Sequence, residues 1–285
     1  MQLIDLNIYI SFAALALAMS TQVQLGMKPQ WHPYLFIIFF ATLFEYNLYR
    51  FISILTHSST AKSGKYAWAE GKLNWFYALM FFSVLGFSIS VVAAKLKVLY
   101  ALAPIAIFTL FYSTPLTKGV KGFFRLRQVP YLKIFMIAFV WTAATILLPL
   151  IHSEKTYHKF HLIAMAIERF LFVFAITIPF DIRDMVADRQ AGLKTIPLKI
   201  GEKRSIQLAQ LSMILFFAIA VVHYSITKQW FIIGAFSVSF CTTIIFIVNK
   251  KIQNLPLYHY GILDGTMLLQ GILVILFYYI NIFFY

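Results

Sequence analysis

About nine stretches of this chain are near-continuously apolar, and several are longer than the run a bilayer needs. They are residues 6–26, 33–55, 74–94, 97–112, 130–151, 160–180, 205–226, 229–248 and 262–283. A bilayer's hydrocarbon takes roughly 20 residues of helix to cross, and most of these runs reach that length; the fourth is short. They are near-continuous rather than alternating, so they read as helices, which satisfy every backbone N–H and C=O within the segment. The connections are all too short for a separate soluble domain. Residues 1–285 are therefore expected to form a single all-α unit, a polytopic membrane protein built as a bundle of about nine transmembrane helices. Residues 1–5 carry no Lys or Arg, so the first run reads as a retained helix rather than a cleaved signal peptide.

The net charge of +14 fits either a nucleic-acid binder or a membrane protein with basic loops on one side. Its placement separates the two. The even-numbered connections 56–72, 113–129, 181–204 and 249–261 carry 15 Lys and Arg between them. The odd-numbered ones carry six: Lys28, Lys95, Lys97, Lys155, Lys159 and Lys228. Basic loops stay in the cytoplasm. The N-terminus and the even loops are thus expected inside, in a multi-pass protein of a bacterial inner membrane. The basic residues form no stripe on one helix and no nucleic-acid motif, so no nucleic-acid partner is expected.

Acidic residues are scarce: ten in the chain, and three of them, Asp181, Asp184 and Asp188, fall within eight residues. Pro179 ends or kinks the sixth span just before them. If residues 181–191 continue as a helix, positions i, i+3 and i+7 place the three carboxylates on one face, and Gly192 stops the helix. One reading is a solvated turn with Arg183 and Arg189 as local partners. The other is a cation site, for which Mg²⁺ is the natural occupant, since it takes a few carboxylates and completes its shell with water and phosphate oxygens. Such a ridge suits the departure of a diphosphate, whose developing charge must be neutralised. The chain's 30 Phe, 16 Tyr and 5 Trp would permit a carbocation nearby but do not require one.

The segment from Asp181 to Gly201, Asp-x-x-Asp-x-x-x-Asp-Arg-x-Ala-Gly-x-x-Thr-x-Pro-x-x-x-Gly, resembles the second aspartate-rich motif of the UbiA superfamily of intramembrane prenyltransferases. Phe111-Tyr112-Ser113-Thr114-Pro115-Leu116 resembles that family's Tyr-Ser-x-Pro loop after the fourth helix. Leu126-x-x-x-Pro130-x-Leu-Lys133, followed by Trp141, resembles the start of its fifth helix. The resemblance implies a UbiA-like fold with a prenyl diphosphate at the cytoplasmic mouth. It implies Asp181, Asp184 and Asp188 as catalytic Mg²⁺ and diphosphate ligands, and a hydrophobic acceptor that is aromatic, a quinone precursor or a lipid. The alternatives are a membrane terpene cyclase, or a non-catalytic relative that binds isoprenoids.

One half of the family's pattern is missing. Where the second helix usually ends in Asn-Asp-x-x-Asp-x-x-x-Asp, this chain reads Glu45-Tyr46-Asn47-Leu48-Tyr49-Arg50-Phe51. If Asn47 matches the family's Asn, every following Asp is absent. Arg50 offers a permanent cation whose fork suits phosphate, with Asn47 and Tyr46 as hydrogen-bond partners; the alternative is that it snorkels to the headgroups. Glu45 could supply a surviving carboxylate, but lies about a turn deeper. Further expected substrate contacts are Tyr112, Lys118, Lys121, Arg183 and Lys194, with the polar loop 56–72 either a lid or an ordinary surface loop. Glu168 and Arg169 fall in mid-span and each needs a partner elsewhere. Asp264 is expected to pair with Lys133. His152, His158 and His161 resemble a metal cluster only in number. Cys241 is alone and reads as an inert packed thiol.

Overall fold

The computed structural model describes residues 6–57, 73–113, 117–119, 122–124 and 129–284, with backbone alone for 52–57, 73, 110–113 and the two three-residue segments. Among the described residues, nine long helices stand where the nine apolar runs do. They are α1 (Ile8–Gln24), α2 (Pro33–His57), α3 (Leu73–Ala93), α4 (Leu96–Ser113), α5 (Leu132–Ser153), α6 (Lys159–Gln190), α8 (Glu202–Ile226), α9 (Trp230–Val248) and α11 (Asp264–Phe284). Two short helices, α7 (Ile196–Ile200) and α10 (Lys250–Gln253), and a π-helical turn, Tyr258–Leu263, lie in the connections. Thr117–Gly119 and Gly122–Phe124 pair as a small antiparallel hairpin.

Most consecutive long helices pack side by side, and α1 joins the ends of the series by packing on α2, α5 and α11. Small residues permit this central position. Ala13, Ala14, Ala16 and Ala18 of α1 are buried, and a Cβ at Gly271 of α11 would lie 2.5 Å from the Ala16 carbonyl carbon. Small residues that let backbones approach are how helices associate where lipid supplies no hydrophobic drive between them. The outer surface is the reverse: Phe81, Ile89 and Val92 of α3 and Ile163 of α6 stand exposed, as only hydrocarbon would tolerate on this scale. Among the described residues, six of the helices are long and apolar enough to cross a membrane. Hydroxyls within the spans bond back to their own helix, as Ser83 does to the Leu79 carbonyl at 2.6 Å and Thr145 to that of Trp141 at 2.7 Å, which removes their cost in lipid.

One expectation narrows here and another changes. Of the two roles open to Pro179, ending the sixth span or kinking it, the first is excluded: α6 runs 32 residues through it. At 1.5 Å per residue that is about 48 Å, well beyond a hydrocarbon thickness of about 30 Å. One missing N–H is tolerated in a membrane helix whose neighbours hold it, and the extra turns carry the aspartates past the apolar slab. Cys241 is exposed on the outer surface of α9 rather than packed.

Candidate functional site

The last turns of α6 form the floor of the site. Asp181, Asp184 and Asp188 share one face of a continuous helix, as their spacing predicts. The helix stops beyond them in a Schellman turn: Gly192, at φ +68°, donates from its N–H to the Arg189 carbonyl (3.1 Å), and Leu193 to that of Asp188 (2.9 Å). The chain then enters α7, and the Tyr131 N–H donates to the Lys194 carbonyl at 2.8 Å. Lys199 Nζ sits 5.0 Å over the Tyr131 ring. These two contacts stitch the segment after the ridge to the residue that precedes α5.

That stitch sets Lys133, in the first turn of α5, directly onto the ridge. Its Nζ lies 2.8 Å from Asp181 Oδ1, 3.6 Å from Asp184 Oδ2 and 3.4 Å from Asp188 Oδ2. The three carboxylates therefore converge on one cation. Lys133 does not pair with Asp264; the arginine electrostatically coupled to Asp264 is Arg183. The sequence shows that a lysine at the start of a span needs an acid, but not which helix supplies it.

Arg183 grips Asp184 with two nitrogens, Nε at 2.8 Å and Nη2 at 3.2 Å. Its guanidinium also lies 5.2 Å over Phe180 and 4.9 Å over Tyr260. Arg50, arriving from α2, lies 5.9 Å over the same Tyr260 ring. Tyr260 thus joins the degenerate first motif to the ridge; it was not legible in the sequence, because a tyrosine in a loop before the ninth span carries no pattern. Asn47 is fully buried. Its amide receives from Asn7 Nδ2 (3.1 Å) and donates to the carbonyls of Leu43 (2.8 Å) and Leu6 (3.1 Å), so it fastens α2 to the start of α1. Lys194 is exposed beyond the ridge. For Tyr112 and Lys118 only the backbone is described. Lys121 and most of loop 56–72 lie outside the described residues.

The remaining polar groups form a separate cluster about 20 Å along α6 from the ridge, at 1.5 Å per residue. Glu168 Oε1 is 2.7 Å from His223 Nδ1, and His223 Nε2 is 2.7 Å from His161 Nδ1. Arg169 reaches α1 instead, donating to Gln24 Oε1 at 3.2 Å and to Ser20 and Thr21 at 3.4 Å. Glu168 and Arg169 thus have the separate partners that adjacent helix positions require. His158 caps α6 by accepting from the Phe160 N–H, and the His152 ring lies against that of His32, tilted by 41°. Among the described residues the histidines form no metal cluster.

Residues 67–254 match the profile of the UbiA prenyltransferase family. This chain belongs to that family. The UbiA fold is evident in the architecture as well. A UbiA homologue from Archaeoglobus fulgidus, solved with GPP and Mg²⁺, superposes with a TM-score of 0.62 at 14% identity, over 96% of this chain and 99% of that one. A UbiA homologue from Aeropyrum pernix K1 in its apo form gives 0.59 at 14% identity, over 97% and 98%. A digeranylgeranylglyceryl phosphate synthase gives 0.54 at 15% identity, over 95% and 92%. No curated protein matches the sequence. UbiA membership and the apolar helices together make this an integral, multi-pass membrane protein.

The ridge is chemically suited to Mg²⁺. Asp181 Oδ1 is buried and lies 2.8 Å from the Lys133 ammonium; three carboxylates already converge on that one positive centre. Among the described residues no group of three or more His, Cys, Asp or Glu side chains is arranged to hold a metal ion by itself, and the ridge, with Lys133 at its centre, is no exception. An open set of carboxylates is what this ion uses when it keeps waters and substrate phosphate oxygens in its shell.

Proposed function

We propose that this UbiA-family protein is an intramembrane prenyltransferase whose diphosphate site lies between the Asp181–Asp188 ridge and Arg50. The allylic C–O bond of a prenyl diphosphate breaks, the electron pair leaves with diphosphate, and the allylic carbon alkylates a hydrophobic acceptor, which then loses a proton. Asp181, Asp184 and Asp188 would hold Mg²⁺, which supplies neutralisation of the leaving group's charge. Lys133 balances the ridge before substrate arrives and is placed to turn its ammonium to the diphosphate. Arg50, beside the positions where the aspartates are missing, takes the place of one metal ion and presents a fixed cation to the phosphate oxygens. Arg183 holds Asp184 in place and contacts substrate from the ridge side; Lys194 and the loop lysines Lys118 and Lys121 add positive charge at the mouth, with Tyr112 at the end of α4. Asn47 serves this site by fixing the helix that carries Arg50. The acceptor is aromatic, a quinone precursor or a lipid, and the site faces the cytoplasm of a bacterial inner membrane.

The observation that carries this reading is the convergence of three acids on Lys133, with Arg50 and Arg183 meeting over Tyr260 beside it. Two guanidiniums beside the ridge add fixed positive charge where a diphosphate would be held. Engagement of Asn47 in packing favours a second reading, a relative that binds prenyl diphosphates without cleaving them. The test is diphosphate release by protein in nanodiscs supplied with Mg²⁺, pooled C5 to C20 prenyl diphosphates and pooled aromatic and lipid acceptors. Release that needs both substrates supports transfer, release without acceptor supports cyclisation, and binding with no release overturns the enzyme.

A further inference from the structure

At the end of the bundle opposite the ridge is a cavity that the prenyl chemistry leaves unused. Lys133 and His152 stand near the two ends of α5, 19 residues apart, or about 28 Å at helical rise, a bilayer's hydrocarbon thickness. The cavity, of about 290 Å³, opens between the α1–α2 connection and the end of α5. Its chemistry is set by Lys28, His32, Tyr34, His152 and Lys155.

The walls are organised around one glutamine. Gln22 is buried. Its Oε1 accepts from the Gln30 N–H at 2.7 Å, and its Nε2 donates to the Gln30 carbonyl at 2.9 Å and to Tyr34 Oη at 2.6 Å. The connection carrying Lys28 is thereby held open in one shape. Because Tyr34 Oη is the acceptor in that bond, its own proton points elsewhere. The His32 and His152 rings lie 4.2 Å apart between centroids. Glu154 is the nearest acid, and it is held by Lys95 and Lys97 at 3.5 Å each. Those two lysines hold its carboxyl below the usual carboxylate range. Among the described residues neither Lys28 nor Lys155 forms an ion pair.

The lining is thus a set of donors: two ammonium groups, a phenol proton and two imidazoles. Partial burial, and then Lys95, push His32 below its ordinary value, so near neutral pH it contributes an N–H donor without a further charge. Trp31, between the lining residues Gln30 and His32 in sequence, is 63% exposed, as suits an indole at the membrane–water boundary.

We infer that this cavity is a binding site for a phosphate-bearing anion, and specifically for the headgroup phosphate of an anionic lipid in the leaflet opposite the active-site mouth. The phosphate accepts from Lys28, Lys155 and Tyr34, and its acyl chains descend along the exposed apolar side of the bundle. The site is independent of the prenyl reaction.

Native mass spectrometry of full-length protein released from nanodiscs tests it. Wild type is expected to retain phosphatidylglycerol or cardiolipin in preference to phosphatidylcholine. The Lys28→Gln/Lys155→Gln pair should reduce that retention by about thirtyfold, since each lysine near a charged lipid surface is worth about 1 kcal/mol. The Lys159→Gln/Lys228→Gln pair, with the same loss of charge outside the cavity, should leave it unchanged. Inorganic phosphate is the second arm: if millimolar phosphate displaces the lipid and raises the melting temperature of wild type but not of the cavity variant, the site stands and its natural occupant is a soluble phosphate. Equal loss in both variants, or a wild type indifferent to lipid charge and to phosphate, overturns the inference.

Discussion

Replacing Lys133 by Met removes one positive charge from among three negative ones while nearly keeping the side chain's length. The ammonium lies 2.8, 3.6 and 3.4 Å from oxygens of Asp181, Asp184 and Asp188. At an effective dielectric of about 20 these separations give about 6, 5 and 5 kcal/mol of attraction. Desolvation offsets much of it, because Lys133 is only 21% exposed and Asp181 3%; removing one partner of such a buried pair costs about 3–5 kcal/mol. In EDTA, Lys133→Met should therefore melt well below wild type. Mg²⁺ should then act in opposite senses on the comparison. In wild type it must compete with the ammonium; in the variant it does not. Each 1.4 kcal/mol of relieved competition is about tenfold in affinity, and since the lysine need only swing aside, the expected gain is at least about tenfold. The assay is thermal melting in nanodiscs across a Mg²⁺ titration, with Lys133→Arg as the charge-preserving control. Unchanged melting in EDTA together with an unchanged Mg²⁺ midpoint would refute the idea that Lys133 is the ridge's resident counter-ion.

Arg50→Ala should weaken prenyl diphosphate binding by about tenfold to a hundredfold, the worth of one charge-assisted contact to phosphate, as read by competition with a fluorescent analogue; an unchanged affinity removes Arg50 from the site. Gly271→Val should cost about 1–3 kcal/mol through overpacking, because its side chain would meet the Ala16 backbone, and a melting temperature equal to wild type would contradict the close α1–α11 contact. His223→Ala, by stripping partners from Glu168 and His161, should cost about 1–3 kcal/mol, while Mg²⁺ binding at the distant ridge stays intact. The exposed ion pairs of Glu154 give a pH signature: its carboxyl is lowered by Lys95 and Lys97, so their contribution is present above the ordinary carboxyl pKa and is lost as pH falls through the lowered one. Wild type should therefore exceed Glu154→Gln in melting temperature at neutral pH, and the two should converge in acid.

The spans were legible because lipid imposes one rule on every residue of a crossing helix, and nine apolar runs became nine long helices with ends shifted by a few residues. In α6 the apolar run ends at 180 but the helix continues to Gln190 and stops at Gly192, the continuation on which the i, i+3, i+7 face depends, because the acids that end an apolar run do not end a helix. The ridge was legible for the same local reason: i, i+3 and i+7 define a face whatever surrounds it. What the sequence hid was every contact between helices. Lys133 was assigned to Asp264 although α5 presents it to α6, since local periodicity says nothing about which helices are neighbours. Tyr260, the ring shared by Arg50 and Arg183, and the Glu168–His223–His161 chain were invisible for the same reason. Asn47, singled out by the resemblance, is held by Asn7 and two carbonyls, partners that no pattern in the second span could name.

The most direct test of the account is the equilibrium binding of geranyl diphosphate to nanodisc-embedded protein, with and without Mg²⁺, for wild type and Asp184→Asn. The account predicts binding that Mg²⁺ strengthens in wild type, and a variant that loses the Mg²⁺ effect while its fold persists. Equal binding by the two proteins, or wild-type binding indifferent to Mg²⁺, would contradict the claim that the aspartate ridge is a metal-assisted diphosphate site.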